Sequence, residues 1–480
     1  MNLKNILSFS IGPFLGLILS VILLPLTTWT FSPENIASVS IFIAILNLSF
    51  SILCLGQDRT YLRWYYEYND KFGLKKLTLT PLFILSILLG ILLASNDLTY
   101  LSKFLYDSDK VETIYYTYFS VVFAAFARML GMELRLEEKG IAYSLISLIP
   151  KITLLVLIVL HFVKNWSDEI ELLLLFHLVS QISVFIYVII QQKHFIKIIM
   201  SKVNFSELKE MILYGLPLLL GSIAYWALTS IDRFLLKSWS GLGELASYSV
   251  AISFASAAVL VQTVFSTIWS PAIYKKVAND EDLSFITDVI NKITVFICFF
   301  VVFVAFLSPV VSYFLPPFYG DVQYLLVSSI LCPLLYTLSE ATFIGIGIKK
   351  KSSYALLSSI FAFLTALISN SILIPILGAK GAAISTALGF YIFFIFRTEL
   401  SCLIWKKIPR KKLYLLVNLI TLSCFFHTLL AMKIGSLIYI YWIIVFITVI
   451  FIGFKELKEV QLSIKRVLQS HAKKYFRKGI

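Results

Sequence analysis

Charge is scarce in this sequence. Only 14% of its 480 residues are Asp, Glu, Lys or Arg, against roughly 25% in an average soluble domain, which excludes an ordinary water-soluble enzyme. Cysteine is scarce too: Cys54, Cys298, Cys332, Cys402 and Cys424 contain no Cys-x-x-Cys pair and all fall in apolar runs. They read as small buried apolar residues, and neither a disulfide framework nor a metal cluster is expected. No Gly-x-x-x-x-Gly-Lys-Ser/Thr motif occurs, so no ATP-binding phosphate loop is available and no cofactor is implied. The first apolar run, Leu7 to Trp29, ends without a small-residue cleavage pattern and reads as a retained helix.

What fills the chain is oil. It is 59% hydrophobic with a mean hydropathy of +0.88, in repeated runs of about 20 residues that each suffice for a hydrocarbon core of roughly 30 Å. Hydropathy predicts fourteen spans, at residues 6–28, 36–56, 77–94, 111–131, 141–163, 170–191, 211–231, 245–271, 289–315, 322–348, 352–376, 380–402, 413–431 and 435–454. The fold class is therefore all-α and polytopic. Alternate connections are basic, among them "LRLEEKG" and "KKIPRKK". Of 41 Lys and Arg, about 32 fall on the side of the N-terminus, 7 opposite, and Lys151 and Arg397 inside spans. An excess of Lys and Arg marks cytoplasmic loops, so both termini are expected in the cytoplasm of a bacterial inner membrane. The net charge of +14 is thus a topology signal that also attracts anionic membrane lipids, and nucleic acid is not an expected partner.

The chain also matches itself weakly. "GPFLG" from Gly12 answers "GLPLLLG" from Gly215, "ASVSI" from Ala37 answers "ASYSV" from Ala246, and "YSLISLI" from Tyr143 answers "YALLSSI" from Tyr354. A six-span period returns the chain to its starting side, so the copies run parallel, and parallel repeats place a substrate site between rocking halves. The expected organisation is a six-helix lobe at 1–205, a second at 206–405, two added spans at 406–454 and a basic tail at 455–480. In that tail Leu457, Val460, Ile464, Val467 and Leu468 share one face, as in an interfacial amphipathic helix.

"YGLPLLLGSIAYWALTSIDRFLLKSWSGLGELASYSVAISF" from Tyr214 resembles the seventh and eighth spans of polysaccharide transporters of the O-antigen flippase type. So do "LTTWTFSPENIASVSIF" from Leu26, "LGQDRTYLRWYYE" from Leu55 and "IPILGAKGAAISTALGF" from Ile374. These transporters belong to the multidrug/oligosaccharidyl-lipid/polysaccharide exporter superfamily. The resemblance spans the whole length and implies two six-helix lobes around a central cavity. It also implies movement of oligosaccharides linked to undecaprenyl pyrophosphate to the outer leaflet. It does not identify the sugar.

The intramembrane charges bear on the substrate. Span five, 141–163, is about 34 Å long and Lys151 lies about 15 Å in, near the midplane. A lysine there costs roughly 2.5–3.5 kcal/mol on insertion scales, and Pro150 before it removes a helical hydrogen bond. A lysine held by a helical neighbour is the structural alternative to a group that binds a diphosphate. No carboxylate in the first six spans sits near mid-depth: Asp58, Glu112 and Glu171 are at span ends. Arg128, near the cytoplasmic end of span four, is either a second headgroup contact or a positive-inside anchor.

In the second half, Glu340 lies about 13 Å from the "KKK" loop, and Arg397 and Glu399 sit at similar or smaller depth. Two residues apart, Arg397 and Glu399 do not face one another along a helix; Arg397 is free to turn to Glu340. A structural ion pair and a proton or sodium relay are both open. Asp58-Arg59 and Asp232-Arg233 are expected to close spans two and seven, as helix ends or gates. Gly12, Pro13, Pro150, Pro217 and Gly221 are hinge candidates. His161, His177 and His427 are isolated and read as packed side chains, with no metal expected.

Three function classes follow. A lipid-linked oligosaccharide flippase, working beside other glycan-assembly membrane proteins, fits the cationic interior. A membrane glycan polymerase or ligase would be expected to carry a large outer loop, and the longest here is the 16-residue "SNDLTYLSKFLYDSDK". A multidrug antiporter for organic cations would be expected to place an acid in the first-half cavity.

Overall fold

The computed structural model describes residues 3–478 apart from 165, 193–197, 199, 201–202, 280 and 350; the side chains of 3–10, 270, 271, 275, 278, 352 and 463–478 are also outside the described set. Described residues form helices and short connections, with no strand. The chain divides into two packed units, Met1–Ser253 and Phe254–Ile480.

The first unit holds α1 (Leu3–Thr30), α2 (Pro33–Cys54), α3 (Gln57–Trp64), α4 (Lys71–Ala94), α5 (Leu98–Tyr106), α6 (Glu112–Leu136), α7 (Gly140–Lys164), α8 (Ile170–Gln191), α9 (Phe205–Ser240) and most of α10 (Leu242–Ala255). Asx side chains start several of these. Asp97 accepts hydrogen bonds from the Thr99 and Tyr100 amides, and Asn204 from the Ser206 amide, caps worth about 1 kcal/mol each. α1 packs along α7, α6 along α8, and α9 along α2 and α3. Leu53, Cys54, Leu82, Val121, Ala125 and Met129 close the middle of the bundle, and Phe42, Tyr106, Ile114, Ile170 and Leu174 close one end. At the corner between α2 and α3, Gly56 takes φ +72° and faces Gly215 of α9 so closely that an added Cβ would lie 2.3 Å from the Gly215 carbonyl oxygen.

The second unit opens with the last residues of α10 and a short 3-10 turn, Ser256–Ala258. It contains α11 (Val259–Ala278), α12 (Phe285–Leu307), α13 (Val322–Ser329), α14 (Leu331–Thr342), α15 (Ile344–Ile348), α16 (Ser352–Leu377), α17 (Ala379–Ile404), α18 (Lys411–Ile434) and α19 (Leu437–Lys478). α16 and α17 form a tight hairpin through Gly378 (φ +56°), and a Cβ on Gly381 would meet the Leu373 carbonyl oxygen at 2.3 Å. Trp442, wholly buried, fills the space beside α18.

The all-helical, polytopic architecture expected from the sequence is the one observed. Thirteen helical segments among the described residues are long and apolar enough to cross a membrane. α6 has the length of another, 25 residues, but carries Glu112, Arg128, Glu133 and Arg135. The tail is not a separate element: α19 runs unbroken through 42 residues, continuing the last span. Leu457 and Val460 line a groove of about 400 Å³ with Phe296 and Phe299 of α12; the side chains of Ile464, Val467 and Leu468 lie outside the described residues.

Candidate functional site

The seam between α1 and α7 is built from small residues. Gly12, Gly16 and Ser20 recur every four residues, so they line one stripe of α1. The Gly12 amide donates to Ser144 Oγ at 3.2 Å, and a Cβ on Gly12 would overlap Ser144 at 2.8 Å. One turn further in, Lys151 Nζ donates to the Gly16 carbonyl oxygen and to Ser20 Oγ, each at 2.7 Å. Ser20 Oγ in turn donates to the same Gly16 carbonyl at 2.8 Å. Lys151 is half-buried and its ammonium points at α1. It forms no ion pair among the described residues, and two of its three donors are occupied.

Arg128 lies on α6, which a three-residue turn joins to α7. It is about 12 Å from that turn and Lys151 about 16 Å, at 1.5 Å per residue. Its guanidinium stacks 4.4 Å over the Phe50 ring of α2 and has neither hydrogen-bond nor ion-pair partner among the described residues. Asp58 acts on it through space without an ion-pair contact. The first unit therefore holds two cations within its helices, Arg128 and Lys151, with no acid in contact.

In the second unit Arg397 Nη1 donates to Glu340 Oε1 at 2.8 Å and to Ser339 Oγ at 3.3 Å. The guanidinium is sandwiched at 4.1 Å from Phe393 and 4.4 Å from Phe343. Glu399 stands apart from this pair, held by Arg410 Nε at 2.9 Å and the Tyr414 hydroxyl at 2.5 Å. Arg410 belongs to the 405–410 connection and Tyr414 to the first turn of α18, so Glu399 is tied to the end of its own span rather than to Glu340.

The Asp-Arg pairs differ from one another. Asp58 and Arg59 sit in the first turn of α3, just past the end of α2, 3.6 Å apart. Asp232 and Arg233 do not end a helix, because α9 continues to Ser240. Asp232 is 1% exposed and accepts from the Tyr248 hydroxyl; Arg233 Nη1 reaches the Ser40 carbonyl of α2 at 3.5 Å. The expected water-facing helix end is instead a buried polar contact, since "FLLKSWS" still packs as helix. Trp226 Nε1 bonds the Ala44 carbonyl at 2.9 Å, so α9 is pinned to α2 at two levels. Among the hinge candidates, Pro13, Pro150 and Pro217 lie inside unbroken helices. Gly12 serves close packing, and Gly221 has nothing within 4 Å of where a Cβ would be.

Sequence reasoning missed one buried charge. Lys75, 4% exposed, donates to Glu133 Oε2 at 2.5 Å and Gln192 Oε1 at 2.7 Å, while Gln192 Nε2 donates to the Leu130 carbonyl at 3.1 Å. This network ties α4, α6 and α8 together. Its one sequence signal is that Lys75 lies two residues before the predicted start of span three and Glu133 two after the predicted end of span four, so opposite charges meet at one depth. At the opposite end Lys110 bonds Glu169 at 2.5 Å, and that carboxylate holds the Lys110 ammonium above the ordinary lysine range. Of the histidines, His161 stacks on Phe31 at 4.6 Å and His177 lies against Phe42 at 5.1 Å. Among the described residues no group of three or more His, Cys, Asp or Glu is arranged to hold a metal.

No curated protein matches the sequence. Among solved structures, the lipid II flippase MurJ in its inward closed conformation is similar over 95% of this chain and 99% of its own, with a TM-score of 0.68 and 16% identity. An inward-facing multidrug resistance MATE family transporter of the MOP superfamily is similar over 81% of this chain and 94% of its own, at TM-score 0.60 and 18% identity. A MOP superfamily transporter from Pyrococcus furiosus Vc1, described by the reverse polarity of its binding pocket, covers 83% of this chain and 95% of its own, at TM-score 0.51 and 18% identity. These are likenesses of fold. By sequence, the polysaccharide biosynthesis protein family matches residues 2–277, more than half of the chain, and the chain belongs to that family.

Proposed function

We propose that the chain is a flippase for lipid-linked oligosaccharides, carrying repeat units on undecaprenyl pyrophosphate from the cytoplasmic to the outer leaflet of a bacterial inner membrane. The observation that carries this reading is the pair of cations without contacting acids, Arg128 and Lys151, on adjacent antiparallel helices of the first unit. A guanidinium with open donors suits first capture of a diphosphate, and an ammonium deeper in suits its retention. Lys151 gives up its contacts to Gly16 and Ser20 as the diphosphate arrives, exchanging neutral acceptors for a charged one, which makes the stronger hydrogen bonds. The lipid tail stays in the bilayer and alternating access delivers the sugar.

Asp58 and Arg59 at the α2–α3 corner gate the cytoplasmic mouth in this scheme. Glu340, paired with Arg397, is the protonatable group through which a proton or sodium gradient acts on the cycle. No bond is made or broken, so the protein is not an enzyme. An organic-cation antiporter fits less well, because two cations line the same helix pair with no acid in contact.

Deletion of the gene followed by analysis of lipid-linked glycans tests this. Complete repeat units should accumulate on the cytoplasmic leaflet. Complete units exposed outside but unpolymerised would instead identify a glycan polymerase or ligase.

A further inference from the structure

The first unit carries an apolar trough that the transport scheme does not use. It has a volume of about 630 Å³ and runs between α4, α6 and α8. On α4, Lys76, Leu79, Thr80 and Phe83 line it at the i, i+3, i+4, i+7 spacing of one helix face. On α6, Val122, Phe126 and Leu130 line it at every fourth residue. Arg128 lies two residues from both Phe126 and Leu130, about 200° around the helix, where it meets Phe50 of α2. The trough is thus on the far side of α6 from the proposed cationic path.

The trough has a direction. Lys76 lies in the second turn of α4 and Leu130 in the last two turns of α6, both at the end of the basic connections, and Phe83 and Val122 lie about 10–12 Å deeper. That depth is most of one leaflet's share of a hydrocarbon core of roughly 30 Å. Long side chains on a helix lean toward its N-terminus, which for α4 is the membrane edge, so the stem of Lys76 lines the trough and its ammonium lies toward headgroup depth. Below it the walls are hydrocarbon and phenyl. Phe123 and Phe185 tilt together at 5.2 Å where α6 meets α8, and the Thr80 hydroxyl is taken up by the Lys76 carbonyl at 2.7 Å. Phe83 begins an exposed stripe that continues through Ile87 and Ile91, the lipid-facing side of α4. The mouth is braced from behind by Lys75, Glu133 and Gln192, whose network joins the three helices and reaches the Leu130 carbonyl.

We propose that the trough holds one acyl chain of an anionic phospholipid, from the leaflet on the side of the basic connections, with Lys76 on its phosphate. A polar ligand would be desolvated below Lys76 with no hydrogen bond to gain, so the buried part of the occupant is hydrocarbon. The single cation of the lining stands at headgroup level and favours a negative headgroup over a zwitterionic one. A chain seated here touches α4, α6 and α8 at once, next to the buried network that joins them. The inference needs the membrane-spanning fold and not the flippase reading.

The test is titration of the purified full-length protein in detergent with phosphatidylglycerol and with phosphatidylcholine of the same chains, read by native mass spectrometry. Phosphatidylglycerol should bind the more tightly. Lys76→Ala should weaken it about fivefold, the worth of one basic residue beside an anionic surface, and leave phosphatidylcholine unchanged; Lys76→Arg should restore it. Phosphatidylglycerol with a photoreactive diazirine in its acyl chain should label residues 79–83 and 122–130, and Val122→Trp, which fills the trough, should suppress that label. Equal phosphatidylglycerol affinity in wild type and Lys76→Ala overturns the proposal. So does labelling spread evenly over the lipid-facing helices, which would mean ordinary boundary lipid. If undecaprenyl phosphate displaces the label more readily than phosphatidylglycerol does, the trough belongs to a polyprenyl chain and the phospholipid assignment falls.

Discussion

The ammonium of Lys151 rests 2.7 Å from the backbone carbonyl oxygen of Gly16, on a neighbouring helix with no side chain in the way. The glycine at position 16 makes room for it: a Cβ there would stand a tight 3.3 Å from Nζ. It makes the lysine tolerable at mid-depth without neutralising it, since a carbonyl and a hydroxyl supply dipoles and no opposite charge. Lys151→Ala should therefore abolish glycan export at unchanged protein level, and Lys151→Arg should keep part of it. Full export by the alanine variant would falsify a role for this amine in transport.

Glu340 and Arg397 allow a separation of stability from coupling. Removing one partner of a buried pair costs about 3–5 kcal/mol, while replacing both with apolar residues is often neutral or better. Arg397→Leu alone should therefore lower the melting temperature sharply, and Arg397→Leu with Glu340→Leu should recover most of it. Glu340→Gln should change the dependence of export on the ion gradient more than substrate binding. Identical gradient dependence in wild type and Glu340→Gln would reduce the pair to a strut.

The Lys75–Glu133 pair makes an independent stability prediction. Glu133→Gln leaves an ammonium 4% exposed without its counter-charge, and a loss of about 3 kcal/mol is expected by thermal unfolding. Lys75→Met with Glu133→Leu should lose much less. Equal losses in the single and double variants would mean that packing rather than charge holds α4 to α6.

Two glycines on α9 should behave oppositely. Gly215→Ala drives a methyl to 2.4 Å from the Leu55 carbonyl oxygen, so the α2–α3 corner must open and the protein should be strongly destabilised. Gly221→Ala meets nothing within 4 Å and should stabilise the helix by up to about 1 kcal/mol. If Gly221→Ala also leaves export intact, no bend is required at that position. Melting curves and export assays on the two variants decide both points.

The sequence made depth legible and direction much less so. Counting residues along span five located Lys151 near mid-membrane, but nothing in "LIPKITL" says that its amine turns to Gly16. Arg397 could be matched with Glu340 because the two lie at similar depth on separate spans. Asp232 was expected at a helix end for a local reason: charges at "IDR" break the hydropathy of span seven, yet the helix runs eight residues further, with Lys237 bonded to the Phe104 carbonyl of α5. Lys75 escaped notice because it sits among exposed basic residues of one connection, and only the packing of α6 and α8 takes it out of water. Contacts between helices far apart in sequence decide such cases, and one chain's hydropathy carries no record of them.

The last helix reaches well past the bilayer. At 42 residues and 1.5 Å each, α19 is about 63 Å long, twice the hydrocarbon thickness. Its root is gripped where Glu459 bonds Lys292 at 2.9 Å, Glu456 bonds Lys412, and Gly453 lets Val295 within 3.0 Å of the position its missing Cβ would take. With no proline in its 42 residues to act as a joint, the last span and the tail form one continuous rod, clamped at Gly453, Glu456 and Glu459 to α12 and α18.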